Sequence, residues 1–192
     1  MPSIAIMGSG NGSNAQALID AVDLGLLNAT ISCVLSDVEN SKILERAKKH
    51  NIPYHYINCY PSPHSLRDDA ENMAIKILDD YQVDFIILAG FMRIIKDRLL
   101  HKFPNRVINI HPSLLPAFPG LDAGKQAFEA GAKETGCTIH YVDKGIDSGK
   151  IILQKTVQIE SNETIDSLMI KIHKAEHIAY PEALNLVFSK KS

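Results

Sequence analysis

Short runs that are apolar at nearly every position, at 4–7, 31–35, 54–57, 85–89 and 107–110, each lead into a turn or a helix-like pattern. Strands that are apolar throughout are buried on both faces, the condition of parallel strands covered by crossover helices. The segments between them, at 14–26, 41–50, 65–81, 96–101 and 122–131, carry helical periodicity and would supply those helices. This rhythm predicts an α/β fold with an open, twisted, mostly parallel sheet of Rossmann-like type and helices on both faces.

Beyond Cys137 the rhythm changes. Two extended runs, 138–142 and 151–159, are joined by a loop containing Gly145 and Gly149, which predicts an antiparallel C-terminal addition. A closing helix is expected from about Thr164, with Asn162-Glu163-Thr164 as a capping lead-in and Leu168, Ile172 and Ala175 at core spacing. Pro181, after Tyr180, is expected to kink or interrupt it. With no repeat, low-complexity stretch or linker, the 192 residues predict one domain.

Composition narrows the function classes. A formal net charge of −2 with mixed signs gives no broad basic field for nucleic acid or an anionic membrane, so small-molecule chemistry is expected. Cys33, Cys59 and Cys137 lie far apart with no CxxC, which argues against a disulfide framework or a zinc knuckle and fits a reducing compartment. The start of the chain lacks a basic region followed by an apolar one, and the apolar stretch 85–92 is too short to span a bilayer. A cytoplasmic protein is expected.

The first run ends in Gly8-Ser9-Gly10-Asn11-Gly12-Ser13-Asn14, where a helix begins. Glycines let the backbone approach an anion, and the N–H groups and dipole of a helix start suit a phosphate. Ser13 and Asn14 can add side-chain donors or cap the helix; a tight turn without a ligand is the alternative. A dinucleotide site would use Asp37, after the second strand, as its ribose-binding acid. However, Ser13 stands where that fingerprint has its third glycine, and no Walker lysine follows the loop. A single phosphate, as on a ribose 5-phosphate, fits better.

In Val107-Ile108-Asn109-Ile110-His111-Pro112, Asn109 and His111 are two apart and therefore share a strand face. They fall at the C-terminal end of a strand, where open α/β sheets place their ligand crevice. Either residue alone can be a hydrogen-bonded core group, since buried polar groups find partners. As a pair they suit chemistry: a histidine moves protons near neutral pH and an asparagine amide donates to an oxygen gaining negative charge. Asp147, in the turn Lys144-Gly145-Ile146-Asp147-Ser148-Gly149, is expected to be exposed and able to face the histidine, or else to be a plain turn aspartate.

These segments, with Ala89-Gly90-Phe91-Met92-Arg93-Ile94, the run from Asn109 through His111-Pro112-Ser113-Leu114-Leu115 to Pro116, and Glu176-His177, resemble the phosphoribosylglycinamide formyltransferase family of folate-dependent formyltransferases. The likeness runs from the first strand to Tyr180-Pro181. It implies formyl transfer from 10-formyltetrahydrofolate, as co-substrate and without a metal, to the amine of glycinamide ribonucleotide in purine biosynthesis. By the same resemblance, Asn109, His111 and Asp147 match the catalytic set. Gly12, Ser13 and Asn14 match the phosphate and ribose loop, and Glu176 matches a carboxylate that holds the sugar hydroxyls. Arg67, Met92, Arg93, Ile94, Ile95, Asn109, Asp143 and Asp147 match the folate cleft. The phosphate-binding half would then be about 1–105 and the catalytic and folate-binding half about 106–192, in a monomer or homodimer. One departure is Asp122-Ala123-Gly124, where some members carry histidines.

Rivals are distinguishable. His173-Lys174-Ala175-Glu176-His177 has the form of an inverted zinc-protease motif, but a third ligand is wanting among the residues after it, where only Glu182 qualifies. A formyltetrahydrofolate deformylase uses a similar Asn, His and Asp set but is expected to carry an added N-terminal domain. A tRNA formyltransferase is expected to carry a C-terminal one, and a nucleotide-binding module would not require the three polar positions. His50, His55, His64, His101 and His140 are expected to be surface or packing residues without a role.

Overall fold

The structure, a computed structural model, describes residues 1–62 and 64–189. In chain order its elements are β1 (Ser3–Met7), α1 (Ser13–Asp23), β2 (Thr30–Ser36), α2 (Lys42–Lys49), β3 (Tyr54–Tyr56), β4 (Ser65–Leu66), α3 (Asp68–Asp80) and β5 (Phe85–Leu88). There follow β6 (Ile94–Ile95), α4 (Asp97–Lys102), β7 (Val107–His111), α5 (Ala123–Glu129), β8 (Glu134–Tyr141), β9 (Ile151–Gln158) and α6 (Ile165–Ser189). The larger sheet has the strand order β3-β2-β1-β5-β7-β8-β9. The chain divides into two compact units, Met1–Ile108 and Asn109–Ser192.

In the first unit β1 pairs in parallel with β2 on one side and β5 on the other, and β2 pairs in parallel with β3. Ile4, Ala5, Ile6 and Met7 are fully buried, as are Ile86 and Ile87, so the apolar runs of β1 and β5 do reflect strands covered on both faces, whereas the run at 54–57 forms the edge strand β3 and leaves Tyr54 exposed. Ser65–Leu66 departs from the expected helix over 65–81. These two residues form β4, paired in parallel with β6, and Ile94 N donates to the His64 carbonyl at 3.0 Å. Their backbone is committed to that ladder, and α3 begins only at Asp68, where Asp68, Asp69 and Glu71 place negative charge at the positive end of the helix.

In the second unit β8 and β9 run antiparallel from Glu134↔Gln158 to His140↔Ile151, with a shift of register between Ile139 and His140. The helix α6 packs on both strands, burying Leu168, Ile172, Ala179, Ala183 and Leu184. Its start is capped reciprocally: Thr164 Oγ1 accepts from Ser167 N at 3.2 Å, and Ser167 Oγ accepts from Thr164 N at 3.0 Å. Pro181 does not interrupt it, for α6 continues to Ser189 with Pro181 inside. A proline removes one helical hydrogen bond and crowds the carbonyl four residues back, but fully buried Tyr180, Ala183 and Leu184 hold the adjoining turns. At the departure noted in the sequence, Gly124 lies against Met169, whose sulfur would be 2.5 Å from a Cβ placed there, so a larger residue would require the Met169 side chain to move. Among the described residues no helix is long and apolar enough to cross a membrane.

Candidate functional site

Two clusters carry the residues singled out by sequence, one in each unit. In the first unit the chain leaves β1 through the glycine loop, which is tied to its surroundings at every step. Gly8 N donates to the Leu35 carbonyl at 3.1 Å, Ser9 N to Gly90 at 3.0 Å, and the Gly10 carbonyl accepts from Ile43 N at 3.2 Å. Arg46 holds Asn11 twice, Nε to the backbone oxygen at 2.8 Å and Nη2 to Oδ1 at 2.9 Å. Gly12 is the N-cap of α1 with φ of +72°, and no side chain caps the helix, so the capping option for Ser13 or Asn14 is not taken. A Cβ at Gly12 would lie 2.8–2.9 Å from Ile43. The loop therefore has a fixed shape before any ligand arrives.

Asp37 does not present a free carboxylate to a ribose. Its Oδ1 accepts from Ser9 Oγ at 2.5 Å and its Oδ2 from Arg93 Nε at 2.6 Å. The expected folate segment starts beside it: Met92 is exposed and its N–H donates to Ser9 Oγ at 2.8 Å, Ile94 is also exposed, and Ile95 is buried at 4%. Ile95 thus offers backbone rather than side chain. Arg67 has an exposed guanidinium, with Nε 2.7 Å from Ser62 Oγ and 3.3 Å from Asp68.

The second cluster brings together Asn109, His111 and Asp147. His111 and Asn109 share a face of β7 as their spacing demands. His111 is 4% exposed; Nε2 donates to the Phe118 carbonyl at 2.9 Å, and Nδ1 stands 3.3 Å from Asp147 Oδ2. The segment after the strand that carries Phe118 is held by Ser113 Oγ, which donates to Ala117 O at 2.6 Å, and by Thr138 Oγ1, which donates to Ser113 O at 2.7 Å. Asp147 is less open than its turn context implies, its side chain only 12% exposed, and Oδ2 also accepts from Gly120 N at 2.8 Å. It holds φ of +51°, the left-handed region that aspartate tolerates better than most residues. Gly149 sets where the loop closes, because a Cβ there would collide with the Tyr141 carbonyl.

His140, expected to be without a role, belongs to this cluster. It is 2% exposed on β8, at the register shift, and such irregularities re-aim side chains next to sites. Nδ1 donates to the Tyr141 carbonyl at 2.9 Å, so in the neutral ring Nε2 is an acceptor, and Asn109 Nδ2 lies 3.3 Å from it. Nε2 is also 3.7 Å from Asp147 Oδ1. Burial lowers the pKa of His140, with the Tyr141 hydrogen bond and Asp147 opposing and His111 adding to the lowering. A partial signal for it existed: His140 lies between Ile139 and Tyr141 in an extended run, as Asn109 and His111 flank Ile110 in theirs.

Asp143 bears on His140 through its charge. Asp143 Oδ1 accepts from Gly145 N at 3.0 Å and Ser148 Oγ at 2.7 Å, which braces the loop. Glu176 is buried on α6; after burial itself, its charge is the next cause raising the Tyr180 hydroxyl and the Cys137 thiol, the latter pushed up to about 12. Among the described residues no three His, Cys, Asp or Glu side chains are grouped to hold a metal ion.

Residues 3–184 match the family described as formyl transferase. The phosphoribosylglycinamide formyltransferase of Bacillus subtilis is 41% identical over 184 residues, covering 96% of this chain and 93% of that protein. The crystal structure of phosphoribosylglycinamide formyltransferase from Bacillus halodurans superposes with a TM-score of 0.92 at 42% identity, over 99% of this chain and 97% of that one. A formyltetrahydrofolate deformylase from Pseudomonas syringae is more distant, 27% identical with a TM-score of 0.87 over 96% of this chain and 61% of its own. The chain belongs to the formyl transferase family.

Proposed function

We propose that this protein transfers the formyl group of 10-formyltetrahydrofolate to the amine of glycinamide ribonucleotide, giving formylglycinamide ribonucleotide and tetrahydrofolate in purine biosynthesis. The observation that carries the chemistry is the convergence of Asn109, His111, His140 and Asp147, with the contacts among them spanning 3.3–3.7 Å. Identity to the Bacillus subtilis enzyme over nearly the whole of both chains supports the choice of acceptor.

Attack of the neutral amine on the formyl carbon makes a C–N bond and leaves negative charge on the formyl oxygen. Collapse breaks the bond from that carbon to the folate nitrogen, which takes a proton as the amine gives one up. Asn109 suits the oxygen: one amide N–H is spent on His140 Nε2, which fixes the amide with nitrogen toward the histidine, and the second N–H remains to donate. His111 has both ring nitrogens facing oxygens, Phe118 O and Asp147 Oδ2, an arrangement in which only a doubly protonated ring donates from both. Asp147 balances that charge and offers a carboxylate through which protons pass. His140 acts through Asn109, as a positioning residue.

In this scheme the backbone of the loop at Gly12, with Ser13 and Asn14, receives the phosphate, and Glu176 the sugar hydroxyls. The backbone of Met92, Arg93, Ile94 and Ile95 reads the folate ring, with Arg67 and the loop that holds Asp143 beside it. The cytoplasm suits a protein whose Cys33, Cys59 and Cys137 are buried free thiols. The test is an assay of 10-formyltetrahydrofolate with and without glycinamide ribonucleotide. Tetrahydrofolate should appear only when the amine is present; release into water alone would overturn the assignment in favour of a hydrolase.

A further inference from the structure

Asp37 is a buried charge in the first unit that the scheme above leaves unused. Its side chain is 1% exposed, and its partner Arg93 is 19% exposed at the guanidinium end of a 2.6 Å contact. A carboxylate so far from water is stable only if its oxygens are satisfied. Both are: Oδ2 by Arg93 Nε, and Oδ1 by Ser9 Oγ. The Ser9 hydroxyl has a single proton, and with that proton given to Asp37 its lone pairs face outward, where Met92 N–H donates to it at 2.8 Å. Ser9 N returns a bond to the Gly90 carbonyl at 3.0 Å, and Arg93 Nη1 reaches the Ser62 carbonyl at 3.4 Å.

The result is a closed circuit. Ser9 belongs to the glycine loop after β1, Met92 and Arg93 to the segment after its parallel neighbour β5, and the carboxylate of Asp37 orients both. We propose that Asp37 is a positioning residue that holds the glycine loop and the Gly90–Ile95 segment as one body, so that the phosphate-binding and folate-binding backbones are set relative to each other before either substrate binds. This rests on the functional reading above for what each segment binds. A corollary is that the Arg93 side chain is a strut committed to Asp37, and that only its backbone is offered to a ligand.

Two readouts test the proposal and keep its failure separate from that of the functional reading. Asp37→Asn keeps the shape and removes the charge; Ser9→Ala removes the shared hydroxyl and leaves Arg93 paired, which covers the case in which the first variant does not fold. Amide hydrogen exchange should accelerate at both Ser9 and Met92 in either variant, by roughly tenfold for loss of a charge-assisted hydrogen bond. Steady-state kinetics should show the KM for ribonucleotide and the KM for folate rising together, by about fivefold or more, with kcat moving less than either. Acceleration of exchange in one segment alone, or a rise in one KM alone, overturns the clamp. Exchange is read without substrate, so a wild-type protein that lacked formyl transfer would sink the functional reading while leaving the clamp judged on its own.

Discussion

Asn109 Nδ2 lies 3.3 Å from His140 Nε2, and the other ring nitrogen of that histidine is spent on the Tyr141 carbonyl at 2.9 Å. The backbone bond determines which tautomer the neutral ring adopts, the tautomer makes Nε2 an acceptor, and the acceptor determines which way the asparagine amide points. The chain of cause starts at a strand irregularity and ends at the orientation of the Asn109 amide.

If that is the role of His140, its loss should act only through Asn109. Asn109→Ala is expected to lower kcat by about 100- to 1000-fold, the cost of removing a donor to a developing oxyanion. His140→Ala should lower kcat by roughly tenfold, the worth of one orienting hydrogen bond, with KM nearly unchanged. The double variant should then be no slower than Asn109→Ala alone. Steady-state kinetics on the four proteins decides it, and losses that simply multiply would show that His140 works independently.

Asp147 is expected to be needed for its charge more than for its shape. Asp147→Asn can still accept from Gly120 N through its amide oxygen, so the loop should keep its fold. The group 3.3 Å from His111 Nδ1 would no longer be anionic. We expect kcat to fall by about 100-fold or more with both KM values within roughly threefold of wild type. A variant that turns over near the wild-type rate would remove Asp147 from the mechanism.

Much of this was legible in the sequence, and for identifiable reasons. The strands β1 and β5 announce themselves because burial on both faces leaves them almost wholly apolar, and β7 follows the same rule at Val107, Ile108 and Ile110. Asn109 and His111 stand out because they break that rule two residues apart. His140 breaks it too, but its meaning depends on a register shift between Ile139 and His140 that no local periodicity encodes. The pair β4 and β6 is two residues long on each side, too short for any pattern. Asp37 and Arg93 are 56 positions apart, and nothing in either neighbourhood marks the other as a partner. Arg67 and Glu176 entered only through resemblance to a family.

Gly12 should be intolerant of a side chain for two separable reasons. Its φ of +72° strains any other residue, and a Cβ would press on Ile43 at 2.8–2.9 Å. Gly25 is the control, with φ of +70° and nothing within 4 Å of its Cβ position. Gly25→Ala should lose about 1 kcal/mol of unfolding free energy from backbone strain alone. Gly12→Ala should lose a further 1–3 kcal/mol or so from overpacking, measured by urea denaturation. Equal losses at the two sites would mean that Ile43 yields freely and that the loop is not sterically fixed.

The depressed pKa of His140 carries a signature in stability as well as in rate. Burial is the main cause, opposed by the Tyr141 carbonyl and the carboxylates of Asp147 and Asp143, and reinforced by His111. In the unfolded chain the ring takes up a proton near its ordinary value of 6.5, whereas the folded protein resists it to lower pH. Below that value the unfolded state binds more protons than the native state, so stability must fall as pH falls, by up to about 1.4 kcal/mol per pH unit for one group. The fall should begin near the unfolded value and level off below the folded one. His55 and His173, also lowered by burial, contribute in the same direction. The diagnostic quantity is therefore the difference between wild type and His140→Asn in urea denaturation at several values between about pH 5 and about pH 8. The variant should lose less stability on acidification than the wild type; parallel curves would mean that His140 is protonated as readily in the folded protein as in the unfolded chain, and that its acceptor role toward Asn109 fails below neutrality.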